Sequence, residues 1–190
     1  MVVRIHSLQR KSYESFKRAL PYLYGLIGPD SLFINKSATM KFRKIQSKEE
    51  FDLVEYLNEY LLTYPNVEVL VGCDSQNHAN KTVYALVVAL YHTGKGAHVI
   101  FNRFSTELER VRSVRLLSEV WKAIEVAEII RNETYADVKY IDIDLNPDPK
   151  YKSNEVFRQA VGLVEGMGYS VRYKTLGPIA TYAADNLVRV

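Results

Sequence analysis

Five carboxylates sit at the ends, or on the inward faces, of apolar segments: Asp74, Glu119, Asp142, Asp144 and Asp185. Asp74 closes a run of strand-forming residues in VEVLVGCDSQ, residues 67–76, and an aspartate beside a core needs a partner. Glu119 lies three residues after Leu116 and four before Ala123, which puts it on the apolar stripe of a long helix. Alternation along VKYIDIDL, residues 138–145, turns Asp142 and Asp144 to one face, and Asp185 rides on a terminal helix. Carboxylates drawn together repel until one takes a proton or a cation neutralises them. Oxygen-only ligands of this kind favour Mg²⁺ or Mn²⁺.

Each acid also has a plainer reading. Asp74 could cap the turn through Asn77, and Glu119 could pair with Arg115 or Arg112. Asp142 and Asp144 could face solvent on an edge strand, and Asp185 could be an exposed helix acid.

The elements that must position these groups follow from period and punctuation. Ser47 and Glu50 form a capping-box pattern ahead of Phe51, Val54, Leu57 and Leu61, a helix that stops before Pro65. The strand of residues 67–76 has little except Glu68 to oppose burial on both faces, as an interior strand requires. A polar turn over 77–81 leads to a strand over 82–92, and Thr93-Gly-Lys-Gly96 turns it into another over 97–104. These three read as an antiparallel meander. Ser105 would cap the long helix to about Arg131. A fourth strand over 138–145, a helix over 153–168, a fifth strand over 169–176 and a helix over 180–188 complete the order. The expected architecture is α/β, a five-stranded mixed sheet with three antiparallel strands and then parallel additions, flanked by helices.

With 190 residues, 47% hydrophobic and 25% charged, the chain suits one globular core. The longest apolar run, residues 84–91, is far short of the ~20 residues of a membrane span, and residues 1–10 hold no secretory apolar core. The expectation is a soluble, cytoplasmic protein without a membrane partner. The single cysteine, Cys73, excludes an internal disulfide and a cysteine zinc cluster. Charge is uneven: residues 1–46 hold nine Lys and Arg against two acids, whereas residues 47–190 hold sixteen against twenty. A basic N-terminal extension, 1–46, is thus set apart from the domain of 47–190, and such a segment suits a nucleic-acid contact. Within it, 12–26 reads as a short helix broken at Pro21, with Tyr22 and Tyr24 as candidate stacking platforms.

The order of elements, with acids at the end of the first strand, on the first long helix, in the fourth strand and on the last helix, resembles the ribonuclease H-like fold. Ala184-Asp185-Asn186-Leu187 looks like that superfamily's closing helix. The wording is similar to the YkuK-type family of ribonuclease H-like proteins in Gly72-x-Asp74-Ser75-Gln76, His92-x-Gly94-Lys95-Gly96, Arg115-x-x-x-Glu119 and Ile141-Asp142-Ile143. It continues in Gly162-x-Val164-x-Gly166-x-Gly168-Tyr169. The similarity runs over about residues 43–188, with Cys73 where a Thr is common and Asp144 as an addition to the pattern.

The resemblance implies a metal-dependent nuclease that hydrolyses phosphodiester bonds of RNA or DNA with Mg²⁺ or Mn²⁺. It makes Asp74 the bridging ligand, Glu119 and Asp142 ligands of one ion and Asp185 of the other, with Asp144 competing with Asp142. Lys174 or His78 would orient a phosphate or move a proton. The alternative is a nucleic-acid-binding module that keeps the fold without catalysis. A phosphotransferase is disfavoured because the Ser-Gln-Asn-His turn after Asp74 lacks the glycine that lets backbone N–H groups approach a phosphate.

Overall fold

A computed structural model describes residues 40–189. Most of the basic extension, with Tyr22, Tyr24 and the helix expected over 12–26, lies outside the described residues. The chain forms β1 (Lys41–Lys44), β2 (Glu50–Asp52), α1 (Leu53–Thr63), β3 (Glu68–His78), β4 (Lys81–His92) and β5 (Gly96–Glu107). It continues with α2 (Arg112–Glu133), β6 (Val138–Asp142), a 3₁₀ turn at Lys152–Val156, α3 (Phe157–Gly166) and β7 (Val171–Arg172). A second 3₁₀ turn at Lys174–Leu176 leads into α4 (Ile179–Val188).

Alternation along the central strands builds two cores. Val69, Val71 and Cys73 of β3 and Tyr84, Leu86, Val88 and Leu90 of β4 face the side covered by α1, α2 and α3. Leu70, Ala85, Val87 and Ala89 face α4. Fully buried side chains such as Leu70, Ile124 and Ile141 each contribute about 1.5–3 kcal/mol of transfer free energy. The α4 face is built from small residues because the helix comes very near the sheet. A Cβ on Gly72 would stand 3.0 Å from Ala180 Cβ and 3.1 Å from the Thr181 backbone nitrogen.

The sheet has seven strands in the order β2-β1-β5-β4-β3-β6-β7, not five. The meander β3-β4-β5 is antiparallel, and β6 and β7 add in parallel, as expected. The two further strands are short and polar. In β1, KFRK, Phe42 alone is fully inside, which leaves little apolar period to read. Because β1 pairs with β5, part of the stretch assigned to the extension forms the side of the sheet.

Several boundaries move. Ser105 does not cap a helix: β5 stays paired with β4 through Lys81↔Glu107, and α2 starts at Arg112. The link between them is tied back, with Thr82 Oγ1 accepting from the Glu109 N–H and Asn77 Nδ2 donating to the Glu109 carbonyl. Ser47 does not cap α1 either. Its hydroxyl accepts from the Glu49 N–H, while Asp52 caps α1 by accepting from Val54 and Glu55. β3 runs on to His78 and turns through Ala79 and Asn80, so Asp74 lies within the paired strand opposite Ala85. β7 keeps only two residues of the strand expected over 169–176.

Candidate carboxylate site

Asp74, on β3, faces the α4 side together with Gly72 and Ala85, and its neighbour Ser75 faces α2. The strand period thus aims two adjacent residues at opposite layers. Ser75 Oγ donates to Glu119 Oε1 at 2.5 Å. Arg115, one turn before Glu119, brings a single nitrogen, Nη1, to the Ser75 carbonyl at 2.6 Å, to Ser75 Oγ at 2.6 Å and to Glu119 Oε1 at 3.1 Å. This confirms the ion pair between Glu119 and Arg115 and fixes the buried Glu119 against β3. Arg112 pairs elsewhere, with Glu155.

Asp142 and Asp144 leave β6 on one side, as alternation requires, since Ile141, Ile143 and Leu145 fill the first core. Their partners differ. The Arg172 guanidinium meets Asp142 in a two-pronged pair, Nε to Oδ1 and Nη2 to Oδ2, both 2.8 Å. The Ala180 N–H donates to the same Oδ2 at 2.7 Å, so the carboxylate also caps the start of α4. Burial lifts the Asp142 pKa, and the Arg172 fork and the N–H groups of Ala180 and Ile179 oppose that lift. Asp142 therefore spends its oxygens on holding β6, β7 and α4 together.

Asp144 is less committed. Lys174 Nζ lies 3.2 Å from its Oδ1 and 3.5 Å from its Oδ2. Oδ1 is nonetheless buried with no hydrogen-bond donor. Asp144 lines a narrow crevice between β3, α2 and the end of β6 whose walls include Cys73, Glu119, Asp142 and Leu145.

Electrostatics couple acids from separate elements. Burial and then the Asp144 and Asp185 carboxylates push Asp74 up to about 6, against the pull of the Ser75 amide and Arg115. Burial and then Asp74 push Glu119 well above the usual carboxylate range, with Asp144 adding to it and Ser75 and Arg115 opposing. Asp185 forms an exposed pair with Arg189, 2.7 Å, one turn along α4. His78 is tied to the end of α4, its Nε2 3.0 Å from the Val188 carbonyl. Cys73 is a core residue whose burial raises the thiol pKa, the opposite of what a nucleophile needs.

In kind, these donors fit a hard divalent cation: they are all carboxylate oxygens, they repel one another, and Asp144 Oδ1 lacks a donor. They do not form a ready-made cage. Among the described residues no three His, Cys, Asp or Glu side chains are grouped to hold a metal ion. The crevice leaves no room for a water-sized sphere. Sequence reasoning had no means to find Arg172 as a partner, and it passed over the Ser75 hydroxyl. For Ser75 the signal is its place directly after Asp74, which sends it to the helix face.

A family described as Ribonuclease H-like matches residues 52–189. The chain belongs to the ribonuclease H-like family. No curated protein and no solved structure matches it. A seven-stranded mixed sheet with helices on both faces is consistent with the ribonuclease H-like fold. Ribonuclease H-like proteins generally bind nucleic acids, and membership supports a nuclease or nucleic-acid-binding function. Among the described residues no helix is long and apolar enough to cross a membrane.

Proposed function

We propose that the chain is a divalent-metal-dependent nuclease that hydrolyses phosphodiester bonds in RNA or DNA, in the manner of the YkuK-type resemblance. Asp74, Glu119 and Asp144 would hold Mg²⁺ or Mn²⁺, with Asp185 contributing from α4. Asp142 stands behind them as a positioning residue through Arg172 and Ala180. The observation that carries this reading is that acids from β3, α2, the end of β6 and α4 lie near enough to add to burial, which lifts Asp74 to about 6 and Glu119 well above the usual carboxylate range.

Bound divalent ions would supply an activated water and stabilise the leaving oxygen. The protein's own contribution is orientation. Ser75 and Arg115 fix the Glu119 carboxylate, and Lys174, at the edge of the site, would meet a phosphate. Cleavage of end-labelled RNA, DNA and hybrid duplexes with Mn²⁺ tests the proposal. It predicts cleavage by the native protein and a loss of at least about 100-fold in Asp74→Asn, since even outer-shell changes at metal sites cost 10–100-fold. No cleavage of any substrate with any divalent ion would overturn it.

A specific observation favours a second reading. Glu119, Asp144 and Asp185 each already meet a cation, from Arg115, Lys174 and Arg189. A binding module without catalysis would show nucleic-acid affinity that falls steeply with salt and does not respond to metal.

A further inference from the structure

One face of α1 carries Tyr56 and Tyr60, one turn apart, and Tyr64 follows at the C-cap, so that three rings lie over the end of the β4–β5 hairpin. The Tyr56 hydroxyl meets His98 Nε2 at 2.7 Å, and the Tyr60 hydroxyl meets His92 Nε2 at 2.8 Å. Both polar tips are spent on the sheet, and what these tyrosines still offer a partner is ring surface. Phe51 stacks on Tyr56 with centroids 4.2 Å apart, Tyr60 adjoins Tyr56 at 5.9 Å and stacks on His98 at 5.3 Å. Tyr64 adjoins Tyr60 at 4.8 Å and meets His92 edge-on at 5.0 Å, which makes the rings one continuous file. The file stays at the surface: Tyr64 is 46% exposed and the other rings are half-buried. Ala85, opposite Asp74, lies seven residues from His92 along β4, roughly 23 Å at ~3.3 Å per residue, so the file is remote from the carboxylates.

We infer that this file is a separate nucleic-acid contact, on which unpaired bases of a single strand stack against Tyr64 and its neighbours while Lys44 and Lys95 meet the phosphates. The inference rests on nucleic-acid binding, which both readings above share, and not on a metal. Charge favours that occupant. Lys44 Nζ lies 5.3 Å from the centroid of the Tyr56 ring, and Lys95 sits in the turn after His92, its N–H donating to the His92 carbonyl at 2.9 Å. Among the described residues neither lysine is in an ion pair, so both charges are left for an anion. Glu55 and Glu59 are exposed, but each precedes its tyrosine by one residue and so points about 100° away round the helix. Burial, then Lys44 and His92, hold the His98 pKa below its ordinary 6.5, which leaves a neutral ring at pH 7. Aromatic faces beside cations suit single strands, since every base has a face to stack and a duplex has already used its own.

A stacking contact feels the loss of a ring only when the ligand has bases, which a merely structural tyrosine does not. The test follows a labelled oligothymidylate by fluorescence anisotropy in EDTA at several salt concentrations. It compares the full-length native protein with Tyr64→Ala, Tyr64→Phe and Lys44→Gln, each checked by thermal unfolding. Tyr64→Ala should weaken binding about 5-fold or more, and Tyr64→Phe should keep it. On a strand of equal length built from abasic sugars, Tyr64→Ala and the native protein should bind alike. Lys44→Gln should weaken binding of both strands and reduce the salt slope by about 0.7. Unchanged affinity in Tyr64→Ala, with the native protein binding normally, overturns the stacking contact and leaves the reading of the carboxylate site standing. An equal loss on both strands in Tyr64→Ala overturns it as well. Absence of binding by the native protein overturns nucleic-acid binding, and this inference with it.

Discussion

Asp142 and Arg172 lie opposite each other in the parallel pairing of β6 and β7, and two residues further along each chain Asp144 meets Lys174. Two acids spaced by two face two cations spaced by two, and register decides which acid is locked. The Asp142 carboxylate has no exposed surface and the Arg172 side chain only 16%. Asp142→Ala should therefore destabilise the fold by about 3–5 kcal/mol, the cost of leaving one buried charge unpaired. Urea titration measures this, and the double variant with Arg172→Ala should cost less than the two single changes together.

Asp144→Asn should behave in the opposite way. With Asp144 partly exposed and its pair to Lys174 at the surface, thermal unfolding should change by less than about 1 kcal/mol. Mn²⁺ binding should be lost. An equal loss of stability in Asp144→Asn and Asp142→Ala would remove the distinction drawn between them.

Gly72→Ala tests the approach of α4 to the sheet. The new methyl would stand 3.0 Å from Ala180 Cβ and 3.1 Å from the Thr181 backbone nitrogen, and backbone cannot turn aside as a side chain does. Overpacking of this kind costs about 1–3 kcal/mol. Because α4 carries Asp185 and is capped by Asp142, the same variant should also weaken Mn²⁺ binding.

The pH dependence of stability should carry the mark of Glu125, which lies in α2. Burial, opposed by Lys122, lifts its pKa to about 7 from an ordinary 4.5, and its Oε1 is unpaired. The folded protein holds this proton more tightly than the unfolded chain. The resulting stabilisation is complete below about pH 4.5 and is lost as pH rises through about 7, a swing on the order of 3 kcal/mol. Glu125→Gln should flatten this part of the stability profile and be more stable than the native protein at pH 8. Equal slopes from pH 5 to 8 would contradict it.

The meander was legible because β3 and β4 are long apolar runs and β3, β4 and β5 are set off by polar or glycine-containing turns, and the acids were legible because each interrupts an apolar pattern. The strands β1 and β2 were not, since three or four residues with at most one buried side chain carry almost no period. The beginning of α2 was missed because Ser105 suits an N-cap locally, while pairing with β4 held it in the strand. The choice between Asp142 and Asp144 could not be read at all. Alternation treats them alike, and what separates them is that Arg172 falls beside the first, a fact of register between segments thirty residues apart.

The most direct test is a crystal soaked in Mn²⁺ and read by anomalous diffraction. A peak within about 2.2 Å of carboxylate oxygens from Asp74 and Asp144 is the expected result. No peak near either acid would contradict their assignment to a metal.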